Sequence, residues 1–160
     1  MINEIKYFVI IALVSFFILS CNTDRVYQKY NEIPNNVWNV ENIVDFDFDI
    51  EDTITRYNMF LHVRHSGHYP FKNLWLFTTT TAPNGYFSVD TVEVILCDDA
   101  GKWLGDGLGD IWDNKIAFKK NIRFPMVGNY KLQVEQAMRF KKIPGIMDIG
   151  LSIEKKSTEN

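Results

Sequence analysis

Cysteine is scarce: two occur in 160 residues, Cys21 and Cys97. No disulfide framework can be built from so few, so the fold must rest on a packed apolar core. Only five prolines interrupt the chain, which leaves long stretches free to pair as strands. No apolar run reaches the roughly twenty residues that a spanning helix requires. Basic residues are outnumbered, 17 against 20 acids for a net charge of −3. That balance offers nothing to nucleic acid, and no Lys/Arg-rich run points to an anionic lipid surface. A Gly-x-Ser-x-Gly elbow and a phosphate-cradling Gly-x-x-x-x-Gly-Lys-Ser/Thr loop are both missing, so two common enzyme signatures are excluded.

The beginning of the chain is unlike the rest. One cation, Lys6, precedes thirteen almost wholly apolar residues, Tyr7 to Leu19. This is the length of a signal-peptide core. The run ends in Ile18-Leu19-Ser20-Cys21, two apolar residues, a small one and a cysteine, the lipobox that lipoprotein signal peptidase accepts. Residues 1–20 are therefore expected to be removed and Cys21 to be acylated. One acyl chain holds a protein only marginally, at about 0.8 kcal/mol per buried methylene, whereas two or more hold it firmly. Cleavage takes away Glu4 and Lys6, so the charge balance is unchanged. Cys97 is then the remaining thiol; its neighbours Asp98 and Asp99 are anions, and it is expected to be buried and inert.

Residues 21–36 read as a lipid-anchored tether with one short strand at Val26 to Tyr30, residues 37–155 as one domain, and residues 156–160 as a polar tail. Within the domain the dominant period is two. Val44-Asp45-Phe46-Asp47-Phe48-Asp49-Ile50 alternates without a fault. Tyr57, Met59, Leu61 and Val63 continue it, as do Ile116, Phe118, Ile122 and Phe124, then Tyr130, Leu132 and Val134, then Met147, Ile149, Leu151 and Ile153. Leu74–Thr80 and Thr91–Cys97 are apolar on both faces and predict central or covered strands. Turn residues separate these segments at Ser66-Gly67, Pro83-Asn84-Gly85, Asp99-Ala100-Gly101, Val127-Gly128-Asn129 and Pro144-Gly145. The expectation is an all-β domain of seven to nine antiparallel strands, a β-sandwich of Ig-like or jelly-roll kind.

Candidate chemistry is thin. Gly105-Asp106-Gly107-Leu108-Gly109-Asp110 fails as a dinucleotide fingerprint, because Asp110 stands where the third glycine belongs. Asp106, Asp110 and Asp113 offer oxygens to calcium but lack EF-hand spacing. Asp45, Asp47 and Asp49 form a like-charge row, expected to be the wet face of an edge strand. His62 and His65 point to opposite faces of a strand and His68 follows a turn, so the three do not converge on a metal. Trp103 and Trp112 flank the glycine run and would stack on sugar rings if exposed; Trp75 and Phe77 are expected in the core. No catalytic residue, metal or cofactor is predicted.

The less common segments are Tyr69-Pro70-Phe71-Lys72-Asn73-Leu74-Trp75-Leu76-Phe77, Asp90-Thr91-Val92-Glu93, Leu96 through Ile111, Arg123-Phe124-Pro125, Glu135-Gln136-Ala137-Met138-Arg139 and Gly145 through Leu151. In this order, behind a lipobox, they resemble the gliding motility lipoprotein GldH family. The resemblance implies a cell-envelope lipoprotein that supports surface gliding and works with type IX protein secretion, without enzymatic activity. Its expected partners are the membrane, through Cys21, and other gliding or secretion envelope proteins, with a glycan as the alternative ligand. Asn22 is not the aspartate that retains lipoproteins at the inner membrane, so the expected place is the outer membrane, on its periplasmic face. The glycine loop, with Lys102, Trp103, Asp106, Asp110 and Trp112, is the expected partner-binding surface; the competing expectation is a tightly packed connection needed only for folding.

Overall fold

The computed structural model describes residues 24–156. Cys21, the leader at 1–20 and the end of the tail at 157–160 lie outside the described residues. Eleven strands follow one another: β1 (Arg25–Glu32), β2 (Val37–Asn39), β3 (Val44–Ile50), β4 (Tyr57–Ser66), β5 (Asn73–Thr81), β6 (Phe87–Ile95), β7 (Asp106–Leu108), β8 (Ile111–Ile122), β9 (Gly128–Gln136), β10 (Lys142–Pro144) and β11 (Ile146–Lys155). Among the described residues no helix is long and apolar enough to cross a membrane.

Alternation in sequence becomes burial in space. On β3, Val44, Phe46, Phe48 and Ile50 are buried and the three aspartates between them are exposed. On β4, Tyr57, Met59, Leu61, Val63 and His65 face the core. β11 adds Ile149, Leu151 and Ile153, and β9 adds Tyr130, Leu132 and Val134. Burying one such side chain contributes about 1.5–3 kcal/mol, and these rows from two sheets supply the shared core.

One sheet has the order β1-β11-β4-β8-β7 and the other β3-β9-β5-β6, with every pairing antiparallel. Numbering only the eight long strands along the chain, the sheets read 1-8-3-6 and 2-7-4-5, the jelly-roll arrangement. Of the two sandwiches expected, this is the one formed. β2 and β10 make a separate two-stranded ribbon that closes one end, where Ile33, Trp38 and Ile143 are fully buried. The Trp38 indole N–H donates to the Asn42 carbonyl at 2.8 Å, so its one polar group is not stranded.

Three expectations change. Residues 25–32 do not hang as a tether: the short strand expected at Val26 to Tyr30 forms and extends over Arg25–Glu32, pairing with β11 along its length, and Ile33 behind it is fully buried. Trp75 and Phe77 are exposed, because β5 turns Leu74, Leu76 and Thr78 inward. The segment from Thr91 forms the second half of β6, which is an edge strand and not a covered one. Its run of apolar residues reflects one half-buried face and one exposed face.

The sandwich has two distinct ends. At the near end the chain enters at Asp24, whose carbonyl accepts the Lys155 N–H at 2.6 Å, and leaves at Lys156, whose N–H donates to Arg56 at 2.7 Å. The connections 51–56, 82–86 and 123–127 lie here, the last two touching through Pro83 and Gly128. At the far end the connections 67–72, 96–105, 109–110 and 137–145 gather, tied by N–H bonds from Gly67 to Asp110, Ser66 to Gly145 and Leu96 to Lys72, all 2.8 Å.

Candidate functional site

The glycine-rich stretch between β6 and β8 folds as two tight turns at the far end. The first is held by Asp98, which accepts the Lys102 N–H on its side chain at 2.9 Å while its carbonyl accepts from Gly101 at 3.0 Å. Gly101 has φ +83°, a left-handed conformation that other residues adopt at a cost. Cys97 and Trp103 then pair as an isolated bridge; the Cys97 thiol is free and buried. The second turn joins β7 to β8. Gly105, also left-handed, leaves no room for a Cβ, which would run into the Asp113 carbonyl oxygen.

Of the five residues expected to form a binding loop, the structure sends two inward. Trp103 is half-buried, its ring 4.7 Å from that of His65 and 6.5 Å from that of Tyr69. Trp112 is half-buried too, and a Cβ on Gly107 would come within 2.7 Å of its ring. Asp110 accepts from His68 Nδ1 at 2.9 Å, both side chains being exposed. Lys102 and Asp106 remain at the surface. The prominent group is one the sequence did not single out: Leu108, at the tip of the β7–β8 hairpin, is 85% exposed.

At the same end lies a groove of about 300 Å³ lined by Phe71, Trp75, Ala137, Met138, Arg139 and Phe140. Phe71 and Phe140 stack with ring centres 5.4 Å apart. Its far wall is shaped by Gln136, which is buried. That amide donates to the Phe140 carbonyl at 2.9 Å and accepts the Met138 N–H at 2.9 Å, so a buried polar side chain fixes the turn that carries the apolar lining. Met138 Sδ in turn receives the Trp75 N–H at 3.3 Å. Sequence reasoning noted these segments but placed Trp75 in the core, since parity along a strand does not say which face is inward.

The histidines serve structure. His62 lies on the outer face of β4, held by Ser152 Oγ at 2.8 Å and Tyr30 Oη at 3.1 Å. Tyr30 lies across Gly150, where a Cβ would come within 2.6 Å of its ring. His65, on the core face, donates Nδ1–H to the Ser66 carbonyl at 2.9 Å, and its buried Nε2 has no partner. Burial pulls both pKa values down, so both rings are neutral near pH 7. Next to His62, Arg64 bridges Asp113 at 3.1 Å and Asp148 at 3.2 Å, its directly opposite neighbours on β8 and β11. Asp113 is thereby committed to an ion pair, and the three aspartates once considered together for calcium have separate partners or face water.

Comparison with known proteins bears on this chain through sequence. The family model described as GldH lipoprotein matches residues 25–153. The gliding motility lipoprotein GldH of Flavobacterium johnsoniae is 34% identical over 160 residues, covering 96% of this chain and 99% of its own. The gliding motility lipoprotein GldH homolog of Christiangramia forsetii is 33% identical over 160 residues, covering 96% and 97%. Among solved structures, a carbohydrate-binding module specific for non-crystalline cellulose, CBM28, aligns with TM-score 0.46 and 10% identity, covering 81% of this chain and 73% of its own; a likeness so distant assigns no ligand.

Proposed function

The chain belongs to the GldH lipoprotein family, and we propose that it acts as a lipid-anchored envelope scaffold for gliding motility and type IX protein secretion. In this reading Cys21 carries the acyl chains, the outer membrane holds them, and the domain faces the periplasm. The work is physical and not catalytic: the near end is held at the membrane and the far end docks an envelope protein. Leu108 and Lys102 on the turns, and Phe71, Trp75 and Phe140 in the groove, form that docking surface.

One observation carries this reading. The segments on which the family likeness rests, all but Asp90–Glu93 and Arg123–Pro125, meet at or run into the far end, although they are scattered over residues 69–151. That end combines exposed apolar groups with rigid turns, the combination in which binding hot spots are found. A glycan remains the second reading, favoured by the exposed Trp75 and Phe77 on one sheet face and opposed by the inward packing of Trp103 and Trp112.

The experiment is a deletion in the native host, complemented with wild type, Cys21→Ala, or Leu108→Asp combined with Trp75→Ala. Colony spreading and type IX cargo in the medium are the readouts. Loss in the deletion, rescue by wild type and failure of both variants, with normal variant protein levels, is the expected result. Normal spreading and secretion, with failed growth on a polysaccharide, would replace this reading with the glycan one.

A further inference from the structure

We infer that the near end of the sandwich is itself a membrane-contact surface, resting on the bilayer that holds the acyl chains and leading with the β5–β6 hairpin and the β8–β9 connection. The inference rests on the lipid-anchored reading of Cys21 and goes beyond it, because an anchor alone says nothing about which surface of the domain meets lipid.

The first argument is leash length. β1 begins at Arg25, and the Asp24 carbonyl is already bonded to Lys155. Three residue steps separate Cys21 from Asp24, which span at most about 11 Å when fully extended. A cysteine whose acyl chains lie in the bilayer stands at headgroup depth, so Asp24, where the chain enters the near end, is held within that distance of lipid. Of the stretch that reads as a tether in sequence, residues 25–32 are strand in the fold.

The second argument is what the near end presents. Tyr86 is 75% exposed, Phe87 61% and Val127 56%. They are held on rigid turns: Gly85 N–H donates to Ala82 at 2.9 Å, Ala82 N–H to Tyr86 at 2.8 Å, and Tyr86 N–H to the Asn84 side chain at 3.0 Å. Pro83, against Gly128, joins this hairpin to the connection bearing Val127. Tyrosine and bulky apolar side chains on preformed tips suit the membrane interface, where one part of a ring is apolar and the other wet.

The third argument is charge. No stretch of sequence is rich in basic residues, but the fold gathers Lys119, Arg123, Tyr86 and Pro125 around one cleft and places Lys131 beside Pro83 and Gly85 in the next; Lys120 adjoins Lys119 in sequence. Lys119 pairs with Asp90 and Lys131 with Asp47. The other acids of this end, Asp49, Glu51 and Asp52, lie on the other side with Val26, Tyr57 and the cations Arg56 and Lys155. The apolar tips therefore have cations beside them, Arg123 among them, as contact with anionic headgroups requires, and the domain should tilt toward that half.

The test uses the full lipidated chain in vesicles of phosphatidylethanolamine and phosphatidylglycerol carrying a headgroup spin-label quencher. With the buried Cys97 changed to Ala as the common background, Tyr86→Cys, Val127→Cys or Leu108→Cys carries an environment-sensitive dye; all three labelled positions are exposed, so the dye itself displaces no core packing. The quencher should remove most of the emission at positions 86 and 127 and leave position 108 unchanged. Protein that floats with the vesicles yet keeps its emission at 86 and 127 overturns the inference while the anchor stands. Equal quenching at all three positions lays the sandwich on its side and overturns it as well. A chain that does not float with vesicles removes the lipid-anchored reading and this inference together.

Discussion

His65 shows how far a single residue can be read before the fold is known. Strand parity alone put His62 and His65 on opposite faces, and the structure has them so. Nothing local showed that Trp103, thirty-eight positions later, would close over the His65 ring, because that contact depends on how β6 returns to β4's end. The chemistry follows from burial. The pKa of both histidines lies below the ordinary 6.5, mainly through desolvation, so the native state takes up a proton less readily than the unfolded chain. Between the native pKa and 6.5 the unfolded state binds more protons, and stability rises with pH. The contribution is complete above about 6.5 and is lost as pH falls from there through the lower native pKa. Thermal unfolding followed on either side of pH 6.5 should show Tm falling on the acid side. His65→Phe keeps a ring against Trp103 but cannot titrate. The Ser66 carbonyl keeps the Tyr69 N–H at 3.0 Å and the partnerless Nε2 is removed, so the variant should begin within about 1 kcal/mol of wild type and then lose less Tm on acidification. An acid slope identical to that of wild type would show that His65 is not one of the titrating groups.

At the scale of the strand, legibility tracked how one-sided each segment is. β3, β4, β9 and β11 present a clean apolar face and were readable from alternation. β5 and β6 are apolar on both faces, so neither the outward turn of Trp75 and Phe77 nor the edge position of β6 followed from the pattern. β1 was undervalued for the opposite reason: it has no fully buried residue, and only its ladder with β11 makes it a strand. The aspartate row of β3 was read correctly, and its role can be tested. β3 lies at an edge with Asp45, Asp47 and Asp49 exposed; Asp45 and Asp49 accept hydrogen bonds from Gln133 at 3.0 Å and Asn129 at 3.2 Å, and Asp47 forms an ion pair with Lys131 at 3.8 Å. Exposed pairs of this kind contribute roughly 0–1 kcal/mol, while like charges along a strand obstruct pairing with another chain's edge. Replacing all three by threonine should leave Tm nearly unchanged and raise concentration-dependent light scattering. A flat scattering curve would show that some other feature protects this edge.

The whole molecule has a polarity that no single segment carries. Topology brings residues 69–77, 96–110 and 135–139 to one end and the chain's entry to the other, which is why the surface proposed for docking was only partly legible: the glycine loop could be singled out from sequence, but the apolar groove at the same end and Leu108 could not. β11 runs most of the distance between the ends, and ten strand residues span about 33 Å at a rise of about 3.3 Å each. If the near end rests on the bilayer as inferred above, a leash of at most about 11 Å holds the far end at a nearly fixed height above the lipid. A docking scaffold works through that height, since a partner with its own fixed seat in the envelope meets the far end only over a narrow range. Lengthening the leash tests this without touching the fold. A flexible insert of about ten residues between Asn22 and Thr23 adds a typical reach on the order of 18 Å and leaves the lipobox and β1 intact. Lipidation and Tm should be unchanged while colony spreading falls sharply, and the same insert placed after Lys156 should have no effect. Full spreading with the longer leash would mean that the partner follows the domain wherever it floats, and that the anchor supplies only residence at the membrane.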